Sequence, residues 1–237
     1  MTPSPVLAQL QIQDPASGEA TCVAANGFCP GWIADNFDRY LGPLGEHVYL
    51  TVVSVVIGFA IALALALLAH RRRWLTGPII TSTGILYAIP SVAAFFLLQP
   101  ITGLGNLTAI VALVSYTLLI IFRNITDGLR NVPAEIVDAA KGQGLTDRQI
   151  LRQVELPMAV PEILAGLRIA FSTTVGLATL AVFAGGGGLG SEILTDRFFK
   201  SNVVVAGGLA VLLAAAFDLV LLAVQRAVTG WQRAAPS

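Results

Sequence analysis

Few residues in this chain have the types and spacing that chemistry on a bound substrate requires. The glycine run Gly185–Gly188 partly matches a phosphate-binding loop, but the lysine that reaches the phosphates in such a loop is missing. His47 and His70 flank a long apolar segment, so they cannot share a metal ion. No Ser/His/acid or Cys/His arrangement on one side of that apolar segment would support hydrolysis. The sequence therefore predicts no catalytic site and no metal site.

The polar segment 131–157 begins with the signals of a short helix. Pro133 suits a first helical turn, where a missing N–H costs nothing, and Glu135 lies near the positive end of the helix dipole. Gly142 and Gly144 then permit a sharp reversal that uses a positive φ angle. The first half of the segment is therefore predicted to be a helix that ends in a glycine turn.

The second half of this segment opens with another helix start. Thr146 and Gln149 have the spacing of a capping box. Ile150 and Val154 then share a helical face, and Pro157 is expected to limit how far the helix continues. A self-capped helix–turn–helix in a largely apolar chain is typical of a surface that contacts a soluble partner.

The apolar composition places the remaining sequence in a membrane. Of the 237 residues, 55% are hydrophobic and 12% are charged, which is too apolar for a soluble domain. A helix needs about 20 residues to cross a hydrocarbon core. The predicted spans, of which the third is short, are Val48–Ala69, Gly77–Leu98, Leu107–Phe122, Ile163–Ala184 and Val203–Val224. The predicted fold class is an all-α integral membrane protein with five transmembrane helices.

Basic residues lie mainly on one side of these spans. Eleven of the fourteen lysines and arginines fall on the side of the polar segment, and only Arg39, Arg197 and Lys200 fall on the other. The positive-inside rule therefore predicts the N-terminus outside the cell and both the polar segment and the C-terminus in the cytoplasm.

Residues that precede the first span do not have the pattern of a signal peptide. Apolar and aromatic residues from Trp32 to Leu44 recur at helical spacing, broken at Gly42 and Pro43, which predicts a helix lying on the outer leaflet. The predicted divisions are an extracytoplasmic segment over 1–47, a transmembrane domain over 48–230 with the polar segment inside it, and a cytoplasmic tail over 231–237.

Two polar features permit more than one interpretation. Cys22 and Cys29, the only cysteines, form either a disulfide in an oxidising compartment or two free thiols. Asp218 is an acid inside a predicted span and is thus a candidate functional group. Because it lies near the cytoplasmic end, pairing with Arg168 or Arg123 is the favoured interpretation.

Several hydroxyl groups in the predicted spans are candidates to line a solute path. Interhelical hydrogen bonding is the simpler role for each of them. The candidates are Tyr87, Ser91, Tyr116, Ser172 and Thr173.

The polar segment also resembles the cytoplasmic loop with which permeases of ABC importers dock onto an ATPase. The resemblance lies in the triplet Asp138–Ala140, then Gly144, then Leu156–Pro157. Asp138 stands where Glu is usual, which retains the charge. The flanking sequence is similar to permeases of osmoprotectant importers for glycine betaine, choline or carnitine. The similar stretches are YAIPSVAAFFLL from Tyr87, IIFRNITDGLRNVPAEIVDAAKGQG from Ile120 and GGGGLGSEI from Gly185.

This resemblance implies a type I importer permease in a bacterial plasma membrane, with the polar segment as coupling helix–turn–helix. Two permeases, identical or homologous, would pack together among membrane lipids, and each would contact one of two ABC ATPase subunits. An extracytoplasmic solute-binding protein would deliver the solute. ATP and Mg would bind the ATPases, so this chain is expected to have no cofactor, no enzymatic activity and no nucleic-acid partner. The implied ATPase-docking residues are Glu135, Asp138, Ala139, Ala140, Gly144, Leu156 and Pro157.

Three alternatives stay open at this point. An ABC importer for another small solute, such as an amino acid or an ergothioneine-like compound, would use the same loop. A secondary transporter or channel subunit would use Asp218 for ion coupling, although inverted repeats are not evident in the sequence. A membrane scaffold could also contain such a loop.

Overall fold

The computed structural model describes residues 18–230, so the predicted tail and the first seventeen residues lie outside the described part. The described residues form helices joined by short turns, without a strand. The α-helices are α1 (Gly18–Ala24), α2 (Pro30–Asp35), α3 (Leu41–Arg71), α4 (Thr76–Ala88), α5 (Ser91–Thr102), α6 (Asn106–Arg130), α7 (Ala134–Gly142), α8 (Asp147–Ile150), α9 (Leu156–Ala178), α10 (Leu189–Thr195) and α11 (Lys200–Val228).

Three of these helices are long and apolar enough to cross a membrane: α3 with the turn before it, α6 and α11. A fourth candidate is the pair α4 and α5, which bends by 98°. Helix α9 has 23 residues and packs in the same bundle, between α6 and α11 and also against α3. The count of five spans stays a prediction.

The second predicted span is not one continuous helix. It breaks after Ala88, where Ile89 and Pro90 have ψ angles of 129° and 130°. A proline disfavours the helical conformation of the residue before it, which accounts for the extended Ile89. Pro100, in contrast, lies inside α5.

The third predicted span is longer than expected. Helix α6 continues for two further turns beyond Phe122, to Arg130. The polar residues of this extension lie on one face, while Ile125 and Leu129 on the other face join the hydrophobic core. Residues 123–130 are too polar overall to be predicted as part of a membrane span. The apolar packing of one face is nevertheless sufficient to continue the helix through them.

Two predicted helix breaks were wrong. Gly42 and Pro43 lie in the first turn of α3, where a proline removes no intrahelical hydrogen bond. Pro157 does not end the helix before it, because Leu151–Glu155 form a π-helical turn that leads directly into α9. Pro157 then falls in the first turn of α9.

Small residues hold the central helices close together. A methyl group added at Gly58 would overlap Thr117 of α6, and one added at Gly166 would overlap Asn124. Glycine at these positions lets α3 and α9 approach α6 closely, as in helix packing within membranes. The two ends of the resulting bundle carry different structures: the polar segment at one end, and the glycine run with the N-terminal residues at the other.

Candidate functional site

The first half of the polar segment 131–157, called the polar loop below, ends in a backbone motif that depends on Gly144. This glycine has a φ angle of +83°, which confirms the predicted positive φ. Its N–H donates to Lys141 O at 2.9 Å, and the N–H of Leu145 donates to Ala140 O at 3.2 Å. This pair of bonds is a Schellman motif, which satisfies the last carbonyls of α7.

The second half of the polar loop begins with the predicted cap. The Gln149 Oε1 atom accepts the backbone N–H and the hydroxyl of Thr146, each at 2.8 Å. The two residues form the capping box predicted from their spacing. Both ends of the turn are therefore organised by residues close in sequence.

The polar loop is attached to the bundle at few points. Ile150 and Leu151 are buried, and Glu155 Oε2 lies 3.0 Å from His70 Nε2 at the end of α3. Elsewhere a cavity of about 540 Å³ lies between α7 and the ends of α3 and α6. The cavity is lined by both parts, among them Ala69, Arg73, Thr126, Arg130, Val137 and Asp138.

Most of the predicted docking residues lie on the surface. Leu156 is half-buried. Ala140 is buried, so α7 packs against the rest of the chain through this residue. Asp138 is exposed and lies 3.6 Å from Lys141, one turn along α7. Ile136 adds an apolar side chain to the same exposed helix. The exposed docking residues are Glu135, Asp138, Ala139, Gly144 and Pro157.

The predicted path residues fall into two groups. Tyr87, Ser91 and Tyr116 lie at or near the break between α4 and α5, where the Tyr116 hydroxyl donates to Ile89 O at 2.5 Å. The rings of Tyr87 and Tyr116 are 6.0 Å apart, edge to face.

The second group of path candidates, Ser172 and Thr173, lies on α9. The hydroxyl of Thr173 donates within its own helix, to Ile169 O at 2.8 Å. Of the five candidates, only Tyr87 and Tyr116 have a mutual contact that the structure defines.

The intramembrane acid pairs as expected with an arginine. Asp218 of α11 accepts two hydrogen bonds from Arg168 of α9, at 2.7 and 3.0 Å. Arg123, the other predicted partner, does not contribute to this pair. The bidentate geometry favours the structural interpretation of Asp218 over an ion-coupling role.

At the opposite end of the bundle, residues 26–40 are held against residues 192–202, an arrangement called the N-terminal clasp below. Arg39 donates to Glu192 at 2.7 Å and to Asp196 at 3.2 Å. The buried Tyr40 hydroxyl donates to Asn202 Oδ1 at 2.7 Å. The clasp was not predicted, since its partners are far apart in sequence.

A disulfide closes the chain next to the clasp. Cys22 and Cys29 are bonded, which decides between the two alternatives left open by the sequence. The backbone N–H of Cys29 donates to the hydroxyl of Ser201 at 2.7 Å. Trp32 contacts Phe199 edge to face at 4.7 Å. The aromatic residues predicted to lie on the outer leaflet thus pack in part on the start of α11.

The glycine run lies beside the clasp and is closely packed. A methyl group at Gly190 would overlap the backbone oxygen of Thr179, and one at Gly187 would overlap the Glu46 carboxylate. The buried His47 ring accepts the N–H of Leu189 at Nδ1 and lies 3.0 Å from Val175 O at Nε2. The run and the residues directly after it therefore fix the contact between the N-terminal part of α3 and the C-terminal part of α9.

Comparisons with known proteins give the family of this chain. Residues 54–231 match the family described as binding-protein-dependent transport system inner membrane component. The permease OpuCB of the glycine betaine/carnitine/choline transport system of Bacillus subtilis is 35% identical, over 84% of this chain and 92% of that protein. The osmoprotectant import permease OsmW of Salmonella typhimurium is 34% identical, over 84% of this chain and 95% of its own length.

Solved structures show the same fold. An inward-facing structure of the MetNI methionine ABC transporter superposes with a TM-score of 0.67 and 25% identity, covering 78% of this chain and 95% of that one. A structure of an amino acid ABC transporter superposes with a TM-score of 0.68 at 16% identity, over 82% of this chain and 96% of that one. The chain has the type I importer permease fold and belongs to the family of binding-protein-dependent transport system inner membrane components, as the permease subunit of an ABC importer.

Proposed function

We propose that this permease imports small osmoprotectants, with glycine betaine, choline and related quaternary amines as its solutes. The observation that carries the proposal is the 34–36% identity, over about four fifths of the chain, to permeases named for those solutes. Membership of this family excludes the two alternatives of a secondary transporter and a membrane scaffold. Solute choice among importers of this family is the question that remains for experiment.

The polar loop is the part of the chain that contacts the ATPase in this proposal. Its exposed face carries Glu135, Ile136, Asp138 and Ala139. The turn and the cap are held by their own residues, so the loop keeps its shape while it touches the bundle at few points. Such a loop can transmit a push to the helix ends as one unit. ATP and Mg bind the ATPase, and this chain contributes movement without chemistry.

The proposed orientation places the polar loop in the cytoplasm and the N-terminal clasp outside. Two independent observations support it. The basic residues concentrate on the side of the polar loop, and the Cys22–Cys29 disulfide lies at the other end of the bundle, as an oxidising extracytoplasmic compartment allows.

The proposed assembly has two permeases, two ATPases and a solute-binding protein. Apolar residues of α5 are exposed in the single chain, among them Phe96, Leu97 and Ile101. A second permease, either another copy or a homologue, would cover part of this surface and close a polar path from lipid. The solute-binding protein would approach the end that carries the clasp.

Uptake measurements test the proposed solute class. The chain is co-produced with its ATPase and solute-binding protein in a host that lacks osmoprotectant uptake. We expect ATP-dependent accumulation of labelled glycine betaine or choline, which an ATPase variant unable to hydrolyse ATP abolishes. The likeness to structures of a methionine and an amino acid transporter favours a second candidate. Uptake of amino acids without uptake of either quaternary amine would establish that alternative and contradict our proposal.

A further inference from the structure

Arg123 is a charged residue on a spanning helix without a partner in the described part of the chain. It lies inside α6, and its side chain is exposed. Asp127, one turn along the helix, is also exposed, yet the two residues form no ion pair in the described structure. By contrast, Arg168 is fully engaged by Asp218. The guanidinium of Arg123 is thus available to an additional group.

The depth of Arg123 limits what that group can be. Its neighbour Asn124 packs against Gly166 of α9, two residues from Arg168, so Arg123 lies near the level of the partly exposed ion pair between Arg168 and Asp218. Arg130 at the end of α6 is seven residues away, about 10 Å along the helix axis. An arginine on a spanning helix is unfavourable in hydrocarbon, and such residues typically face a protein interior, a water-filled cavity or the interface.

Tyr116 lies on the same face of α6 as Arg123 and forms an aromatic pair with Tyr87 of α4. Tyr116 precedes Arg123 by seven residues, which is close to two full turns, or about 10 Å. Tyr116 is buried, its hydroxyl donates to Ile89 O, and its ring packs edge to face with that of Tyr87, so the accessible ring of the pair is the exposed Tyr87. Tyrosine faces attract quaternary ammonium groups, and a guanidinium binds a carboxylate through two parallel hydrogen bonds.

We propose that Tyr87, held in place by Tyr116, and Arg123 form a site for a zwitterionic solute within the permease, in which Tyr87 contacts the quaternary ammonium and Arg123 binds the carboxylate. The site therefore selects glycine betaine or carnitine over choline, which has no carboxylate. Side chains on a helix lean towards its N-terminus, so the Arg123 side chain is expected to extend along α6 in the direction of Tyr116. This inference rests on the proposed osmoprotectant function and adds a solute class to it.

The test measures uptake by the complete importer, with its ATPase and binding protein, in proteoliposomes. The variants are Arg123→Gln, which removes the charge, and Arg123→Lys, which retains it. Arg72→Gln, at an exposed position at the end of α3, controls for loss of a positive charge. For each variant, uptake of labelled glycine betaine and of choline is divided by the wild-type uptake of the same solute, so that the preference of the binding protein cancels.

We expect Arg123→Gln to lower glycine betaine uptake about tenfold, as for loss of a charge-assisted hydrogen bond, and to leave choline uptake unchanged or raised. Arg123→Lys should retain most of the glycine betaine uptake, and Arg72→Gln all of it. An equal loss for both solutes, or no loss, overturns the inference while the proposed function stands.

If the wild type takes up glycine betaine but no choline, the two solutes cannot be compared, and the test uses glycine betaine uptake by the Arg123 variants. The inference then requires the Lys and Gln variants to differ at equal membrane abundance, and equal uptake by the two overturns it. If the wild type takes up neither solute, the proposed function itself fails.

Discussion

The polar loop and the N-terminal clasp are built in opposite ways. In the polar loop, the turn at Gly144 and the cap at Thr146 use hydrogen bonds between residues at most five positions apart. In the clasp, Arg39 and Glu192 are 153 residues apart, and Tyr40 and Asn202 are 162 residues apart. The loop is therefore a local structure that the bundle carries, whereas the clasp is part of what holds the bundle together.

This difference separates two kinds of mutational effect. Changes that alter the shape of the polar loop should reduce transport and leave the folded bundle intact, because few contacts link the two. Changes at the end that carries the clasp should reduce stability first, because its contacts join α3, α9, α10 and α11. Three of the following four substitutions test this separation, and the other tests the ion pair between Arg168 and Asp218.

Gly190→Ala should have the largest effect. An added methyl group would overlap the backbone oxygen of Thr179, which cannot move as a side chain can. Overpacking of this kind typically costs about 1–3 kcal/mol and more where the backbone must shift. We expect little folded protein, measured as monodisperse material after detergent extraction.

Two control glycines calibrate that result. Gly208→Ala in α11 meets no atom within 4 Å in the single chain and should fold normally. Gly187→Ala should be intermediate, because the Glu46 carboxylate that it meets can rotate away. Equal yields for the variants at positions 187 and 190 would contradict the rigid contact with Thr179.

Gly144→Val should abolish solute uptake at near-normal membrane abundance. Its φ angle of +83° is unfavourable for any residue with a side chain, by about 1–2 kcal/mol, and more for a β-branched one. The turn would shift and α7 would present a different face to the ATPase. Gly142→Ala is the matched control, since Gly142 is helical and has no neighbouring atom within 4 Å. Wild-type uptake by the Val variant would show that the turn geometry is not needed for coupling.

The same division explains what the sequence could predict. The positive φ of Gly144 and the Thr146–Gln149 cap were predicted because each depends on neighbours within a few positions. The pairing of Asp218 with an arginine was also predictable, because an isolated intramembrane carboxylate is unfavourable. Which of the two arginines pairs with Asp218 could not be predicted, because it depends on the packing of α9 against α11.

Other features depend on tertiary structure and were not predictable. Neither Arg39 nor Glu192 has a local signal that indicates the other. The π-helical turn at Leu151–Glu155 keeps the chain helical up to Pro157, although that proline normally marks the end of a helix. The extension of α6 was missed because a criterion of overall apolarity ignores the buried face of Ile125 and Leu129.

Asp218→Asn should lower the folded yield by an intermediate amount. It leaves Arg168 without its anionic partner, and because both side chains are about one third exposed, solvent screening keeps the loss of stability modest. The double variant Arg168→Gln/Asp218→Asn should recover part of the yield, because it removes the unpaired charge. Uptake per folded molecule and its pH dependence should stay unchanged. A changed pH dependence would instead assign Asp218 to the transport step.

Tyr40→Phe should change stability alone. It removes the hydroxyl that donates to Asn202 Oδ1, in a region where both side chains are fully buried. An unsatisfied buried acceptor costs about 1–3 kcal/mol, which lowers the melting temperature by roughly 2–4 °C per kcal/mol in a chain of this size. Tyr49→Phe, at a half-exposed position on α3, is the matched control. If Tyr40→Phe instead reduced uptake without a change in melting temperature, the clasp would have to open during transport, and the contrast with the polar loop would no longer hold.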